Sequence, residues 1–238
     1  MSTGTLSRVG FLCGLLAALT CAVAEDGLKQ VEVGYQLRTA PVVITGVSYR
    51  GTRVPCGLLV NAGIGVPPVV QAVTPFFAGD DWLQQLTISL YNQTDKTVTQ
   101  MSLALFFPET GEGTHDSPIR VGQISLGRLP DGVAKSIETH QPIQQDERIR
   151  PISFAPHQTV LIDLGAEIDR MKGALDNLPF RAITKCTIRM SSAFLDDKMK
   201  WTGSYWTPDA NSPGGYKAME KAYFPGPANH PWPPAAAQ

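Results

Sequence analysis

Beyond its first two dozen residues, the chain has no apolar run approaching the ~20 residues that a membrane-spanning helix needs. It also lacks an excess of charge of either sign, with 20 Lys and Arg against 21 Asp and Glu. That balance gives no general electrostatic pull toward nucleic acid or anionic lipid, and no basic cluster substitutes for it. Histidine is scarce. His115, His140, His157 and His230 show no close metal-ligand spacing, so no zinc centre is expected from them. The aspartate pairs Asp80-Asp81 and Asp196-Asp197 lack the alternating oxygen pattern of a calcium loop and read as solvated turns.

Nucleophile motifs are missing too. Gly46-Val47-Ser48-Tyr49-Arg50-Gly51 misses the G-x-S-x-G elbow by one position. Gly63-Ile64-Gly65-Val66 is followed by Pro67-Pro68, which suits a bent connection rather than a phosphate-cradling loop. No catalytic residue, cofactor or metal is assigned.

What the sequence does contain begins with an export signal. Arg8 flanks an apolar run from Val9 to Leu19, and Ala22-Val23-Ala24 fits a small-x-small cleavage site before Glu25. Residues 1–24 are therefore expected to be removed, leaving a periplasmic or extracellular chain of 214 residues. A retained N-terminal anchor and lipid attachment at Cys21 are the alternatives. Cleavage takes Cys13 and Cys21 with it, so only Cys56 and Cys186 remain. An exported chain with two cysteines suggests one disulfide, and two unpaired thiols are the other reading.

Period-2 alternation dominates the remainder. Leu86, Ile88 and Leu90 alternate with Thr87, Ser89 and Tyr91, and Met101, Leu103, Leu105 and Phe107 form a second series. The polar link Asn92-Gln93-Thr94-Asp95-Lys96 joins them and includes an N-glycosylation acceptor pattern. Val31, Val33, Tyr35 and Leu37 predict a first strand with one buried face, and Val42 to Tyr49 predict a second. Ile119 to Leu126 is extended but changes phase, which fits a β-bulge or cover on both faces. Val160, Ile162 and Leu164 face the core from a later strand.

Ala166 to Leu175 carries Ile168, Met171 and Leu175 on one helical face and is read as a helix crossing between sheets. In Ala182 to Phe194, the series Thr184, Cys186, Ile188, Met190, Ser192 and Phe194 shares a face. Trp201 and Tyr205 then share a phase that suits packing.

From Thr207 the composition turns irregular. Lys217 to Tyr223 could form a helical turn or two, ahead of a proline- and alanine-rich end. The expected domain plan is thus a signal at 1–24, a β-sandwich over 25–206 and an extension over 207–238. The expected fold class is all-β, an immunoglobulin-like antiparallel sandwich with one short crossing helix. Trp206, Tyr216, Tyr223, Phe224 and Trp232 are the candidate interaction surface, because exposed aromatics can stack on sugars or clamp a peptide.

Phe77-Ala78-Gly79-Asp80-Asp81-Trp82, Asn92 to Lys96, Phe107-Pro108-Glu109 and Phe194 to Asp197 ahead of Trp201-Thr202-Gly203 carry a resemblance. Over residues 30–206 the chain resembles the uncharacterised secreted β-sandwich proteins common in Acidobacteria. That resemblance implies a fold framed by Trp-containing turns and brings no activity with it. The expected function is a noncatalytic envelope or extracellular domain, protein-binding or structural, with an envelope protein as partner. The alternative is a small carbohydrate-active or other hydrolytic protein.

Overall fold

A computed structural model describes residues 27–61, 69–70, 73–108, 120–130, 151–172, 183–212, 214–220 and 223–227. Its strands are β1 (Gly27–Leu37), β2 (Val42–Tyr49), β3 (Thr52–Val54), β4 (Gly57–Asn61), β5 (Val69–Val70), β6 (Phe76–Ala78) and β7 (Leu86–Asn92). They continue with β8 (Val98–Phe107), β9 (Arg120–Gly127), β10 (Thr159–Asp163), β11 (Lys185–Leu195), β12 (Lys200–Trp201), β13 (Tyr205–Pro208) and β14 (Tyr216–Ala218). One α-helix, α1 (Gly165–Lys172), and a 3-10 turn at Trp82–Gln85 complete the described elements. The protein is all-β.

Two sheets pack together. The smaller is antiparallel throughout, in the order β10-β7-β2-β3. The larger has ten strands and is organised around β11, which pairs with β8 along one edge. Its other edge takes β1 near its start and β12 near its end. β9 extends the sheet beyond β8, and β13 and β14 extend it beyond β12. β1 lies between two parallel neighbours, β11 and β4, while β6 closes its first residues antiparallel. Between the layers, Leu86, Ile88 and Leu90 of β7 and Val42, Val43, Ile44 and Val47 of β2 share one core with Leu103, Leu105 and Ile188.

The two alternating runs around the polar link belong to different sheets. Asn92–Thr97 therefore carries the chain across the sandwich and is not a hairpin turn. The crossing is held by side chains. The Asn92 amide donates to the carbonyls of Lys96, Phe154 and Ala155, and its Oδ1 accepts from the Thr94 amide and hydroxyl. Both residues are fully buried, so the glycosylation acceptor of the sequence is structural in the folded chain. Trp82 is also fully buried and donates from Nε1 to the Ile183 carbonyl at 3.0 Å, which ties the entry of β7 to the start of β11.

Phase shifts account for the places where alternation misplaced a side chain. The β1–β4 register slips between Val33 and Gln36. Tyr35 is consequently 38% exposed and Gln36 only 5%, the reverse of the expected pattern. The buried Gln36 amide is paired at both atoms: Nε2 donates to the Ile44 carbonyl at 3.0 Å and Oε1 accepts from the Ile44 N–H at 2.6 Å. These bonds sit at the register shift of β2, between Ile44 and Gly46.

β11 slips against β8 between Met190 and Ser192, so Ala193 and Leu195 are buried where the alternating series had Ser192. β9, by contrast, pairs with β8 without any shift from Gly127 to Arg120. No bulge therefore accounts for its phase change: the outer row of β8 is covered at Gln100, Ser102 and Ala104, while Gln123 of β9 itself is exposed, and Ile119 lies outside the described residues.

α1 lies on the connection from β10 in the small sheet to β11 in the large one, with Ile168 fully buried. Asp163 Oδ1 accepts from the Gly165 N–H just before its first turn. Residues 173–182, with Leu175, lie outside the described residues. The helical turn expected from Lys217 is instead strand β14, paired with β13 from Trp206↔Ala218 to Pro208↔Tyr216. Sheet pairing overrides local propensity there.

Candidate functional site

Two of these phase shifts meet in space. Tyr35, Gln36 and Leu37 of β1 and Met190 and Ser191 of β11 line a cleft of about 230 Å³, closed by Trp201, Thr202 and Gly203 of the β12–β13 turn. Bulges re-aim side chains, and the cleft lies just past Val33↔Ile188, where the pairing of β1 with β11 ends. The wall is uncharged. Gln36 is committed to Ile44, and the Ser191 hydroxyl donates to the Ser102 carbonyl at 3.0 Å. Such a wall suits a small neutral ligand and offers no carboxylate for acid–base work.

Nearby, Gly34 lets the Arg189 side chain lie flat across β1. A Cβ at that position would fall 2.5 Å from the Arg189 Cγ and Nε. The guanidinium thereby reaches over the Phe106 ring, 5.1 Å from its centroid.

The C-terminal aromatics are mostly engaged with the fold. Tyr223 and Phe224 are half-buried against the core, and the Tyr223 ring meets the buried Tyr205 edge-on at 5.3 Å. The Tyr216 hydroxyl donates to the Lys198 carbonyl at 3.1 Å. Trp206 is half-buried on β13, with its Nε1 enclosed. The Asp95 N–H donates to the Pro225 carbonyl, fixing the extension against the sheet crossing at 92–97. Trp232 lies outside the described residues. Burial pushes the Tyr205 hydroxyl well above the ordinary phenol range, so Tyr205 packs as a neutral ring.

Cys56 and Cys186 are free thiols. Both flank the same residue of β1. Val31 pairs with Cys186 on one side, and Glu32↔Gly57 on the other places Cys56 one step back, beside Val31. Two interstrand spacings separate them by about 9.5 Å, beyond the reach of a disulfide. The disulfide expectation is thus corrected: the intervening strand keeps the pair apart. Burial raises both thiol pKa values, which makes them poor nucleophiles.

Of the histidines, only His157 is among the described residues. Its Nε2 lies 2.8 Å from Asp95 Oδ1, and its Nδ1 lies 3.4 Å from the Tyr91 hydroxyl. The order carboxylate–imidazole–hydroxyl is that of a proton relay, but His157 and Asp95 are both largely exposed to solvent and do not line the cleft. Its evident work is to fasten the 155–158 turn to the crossing. Asp196 and Asp197 behave as expected of turn residues: they accept from the Thr97 and Met199 amides, and Asp197 also pairs with Lys96. Among the described residues no cluster of His, Cys, Asp and Glu could hold a metal.

Sequence reasoning missed the exposed apolar side chains. Leu28 and Phe77 stand directly opposite each other on β1 and β6, 55% and 70% exposed, and Leu161 on β10 is 69% exposed. Alternation carried a signal for Leu161, since Val160, Ile162 and Leu164 face inward. Comparison with protein-family models, with curated proteins and with solved structures returned no match.

Proposed function

We propose that this chain is an exported, noncatalytic domain of immunoglobulin-like sandwich type that holds a protein partner in the cell envelope or outside the cell. The observation that carries this reading is the Leu28–Phe77 pair, two large apolar side chains side by side on the outward face of β1 and β6. Cross-strand apolar pairs stabilise a sheet when covered, and left open they mark a contact surface. Two packed sheets support the immunoglobulin-like assignment, although β1 between two parallel strands departs from an all-antiparallel pattern. The residues of Phe77–Trp82 and the turns at 92–96 and 194–203 support grouping the chain with secreted β-sandwich proteins of Acidobacteria.

The test is a pull-down from the native envelope with the wild-type chain and with a Leu28→Ser, Phe77→Ser double variant. Both side chains point outward, so thermal unfolding should move little, each change costing within about 0.5 kcal/mol. A specific partner lost in the variant supports the reading, and equal recovery of every protein by both chains sinks it. Mass spectrometry of the exported chain should find Glu25 as its first residue.

A carbohydrate-binding role is the second reading, and the cleft beside Trp201 is the observation that favours it. Its uncharged wall, which includes the aromatic side chains of Tyr35 and Trp201, suits a neutral sugar ring. Titration with neutral oligosaccharides, followed by tryptophan fluorescence, should then be abolished by Tyr35→Ala.

A further inference from the structure

β10 forms one edge of the small sheet, and its hydrogen-bonding phase can be worked out. The Asn92 N–H donates to the Gln158 carbonyl, and the Leu164 N–H donates to the Leu86 carbonyl. These two opposed pairs bracket the β7–β10 ladder, which runs without a shift from Tyr91↔Thr159 to Thr87↔Asp163. Hydrogen-bonded and non-bonded pairs alternate along an antiparallel ladder. Val160 and Ile162 therefore spend their backbone groups on β7. Thr159, Leu161 and Asp163 direct theirs outward, and among the described residues none takes them up.

The strand carries none of the usual protection. Thr159-Val160-Leu161-Ile162 has no lysine, arginine or proline, and no bulge twists it away. Three other edges differ: β3 carries Arg53, β14 carries Lys217, and β9 is bounded by Arg120 and Arg128; β5 and β6 are uncharged but only two and three residues long. The one charge on β10, Asp163, stands at its end and is committed to the first turn of α1.

We infer that the open edge of β10 pairs with the β10 edge of a second copy of this chain, antiparallel about a two-fold axis through Leu161. In that register Leu161 faces its own copy and Thr159 faces Asp163, so no like charges oppose each other. All the outward N–H and C=O groups of the three residues find partners, and the two exposed leucine side chains lie together on one face. The same strand supplies both halves, as a closed isologous contact requires. The product is one continuous sheet running β3-β2-β7-β10 and back through the second copy. A five-residue strand buries little area, so the dimer should be weak and should dissociate on dilution.

The inference stands apart from the Leu28–Phe77 surface, which lies on the other sheet, and can be tested on the purified chain. Sedimentation velocity over a dilution series should show a reversible monomer–dimer equilibrium. Leu161→Lys places two ammonium groups opposite each other and should raise the dissociation constant roughly tenfold or more. Its circular dichroism and unfolding midpoint at low concentration should match the wild type, because Leu161 is exposed. Hydrogen exchange gives an independent readout: the amides of Thr159, Leu161 and Asp163 should gain protection as concentration rises, while Val160 and Ile162 stay protected throughout. A monomer at every concentration, a dimer indifferent to Leu161→Lys, or concentration-independent protection at all five amides would each overturn the inference.

Discussion

β7 and β11 are the central strands of their sheets, yet they keep phase differently. Along β7 buried and half-buried residues alternate without a break from Leu86 to Asn92. β11 alternates only as far as Ile188, slips between Met190 and Ser192, and ends with Ala193, Phe194 and Leu195 all buried. Each has a strand on both edges, but the partners of β7 lie alongside it over most of its length. β11 has β1 and β12 in succession on one edge and must change direction between them. A strand with continuous partners keeps one face to the core. The strand that changes partners on one edge is the one that carries a bulge against β8 on the other, and the cleft lies beside it. Met190 and Ser191 form that part of the cleft wall.

The sharpest way to break this comparison is to delete side chains along β7. Leu90 is fully buried, so Leu90→Ala should cost about 2–5 kcal/mol of unfolding free energy. Ser89→Ala, one position along, gives up only the 2.9 Å hydroxyl contact with Thr45 and should cost about 0.5–1.5 kcal/mol. Denaturant titrations of both variants would read this contrast. Similar losses at both positions would mean that β7 is not the regular core strand described.

A second prediction concerns the bulge of β1. Gln36→Met keeps the side chain long while removing both hydrogen bonds to Ile44. The Ile44 N–H and C=O would then be left unpaired in the interior, at a cost of about 1–3 kcal/mol. Unfolding measured beside the wild type checks this. A variant as stable as the wild type would show that the two shifted registers need no side chain to join them.

The sequence was most legible where phase is unbroken. Leu86, Ile88 and Leu90, the inward set Val160, Ile162 and Leu164, and the packing of Trp201 and Tyr205 could all be read from period alone. Nothing in Gly34-Tyr35-Gln36 announces that one residue will be skipped, because the slip depends on β4, a strand paired from more than 20 residues away in the chain. For the same reason the cleft was not visible: its walls come from β1 and β11, strands about 150 residues apart in the chain that are neighbours only in the folded sheet. Cys56 and Cys186 pointed to a bond by compartment and count. That argument carries no information about the strand between them. The exposed Leu28 and Phe77 fall in runs that read equally well as buried.

The smallest expected effect lies on the crossing at 92–97, where Lys96 pairs with Asp197 in the turn after β11 and links the two sheets at their surface. The hydrogen bond that Lys96 donates to the Asp197 carboxylate raises the Lys96 pKa above its ordinary value of 10.5, and part of that gain is offset by desolvation. A lysine raised in the folded state contributes stability that is complete below the unfolded pKa and is lost as pH rises through the folded one. Comparing wild type with Lys96→Met should therefore give a constant difference from neutral pH to about pH 10, shrinking above that. Both side chains are about one-third exposed, so the plateau should be no more than about 0.5 kcal/mol and should fall further in high salt. A larger difference would mean that the surface pair, and not the buried Asn92 amide, sets the angle at which the chain leaves one sheet for the other.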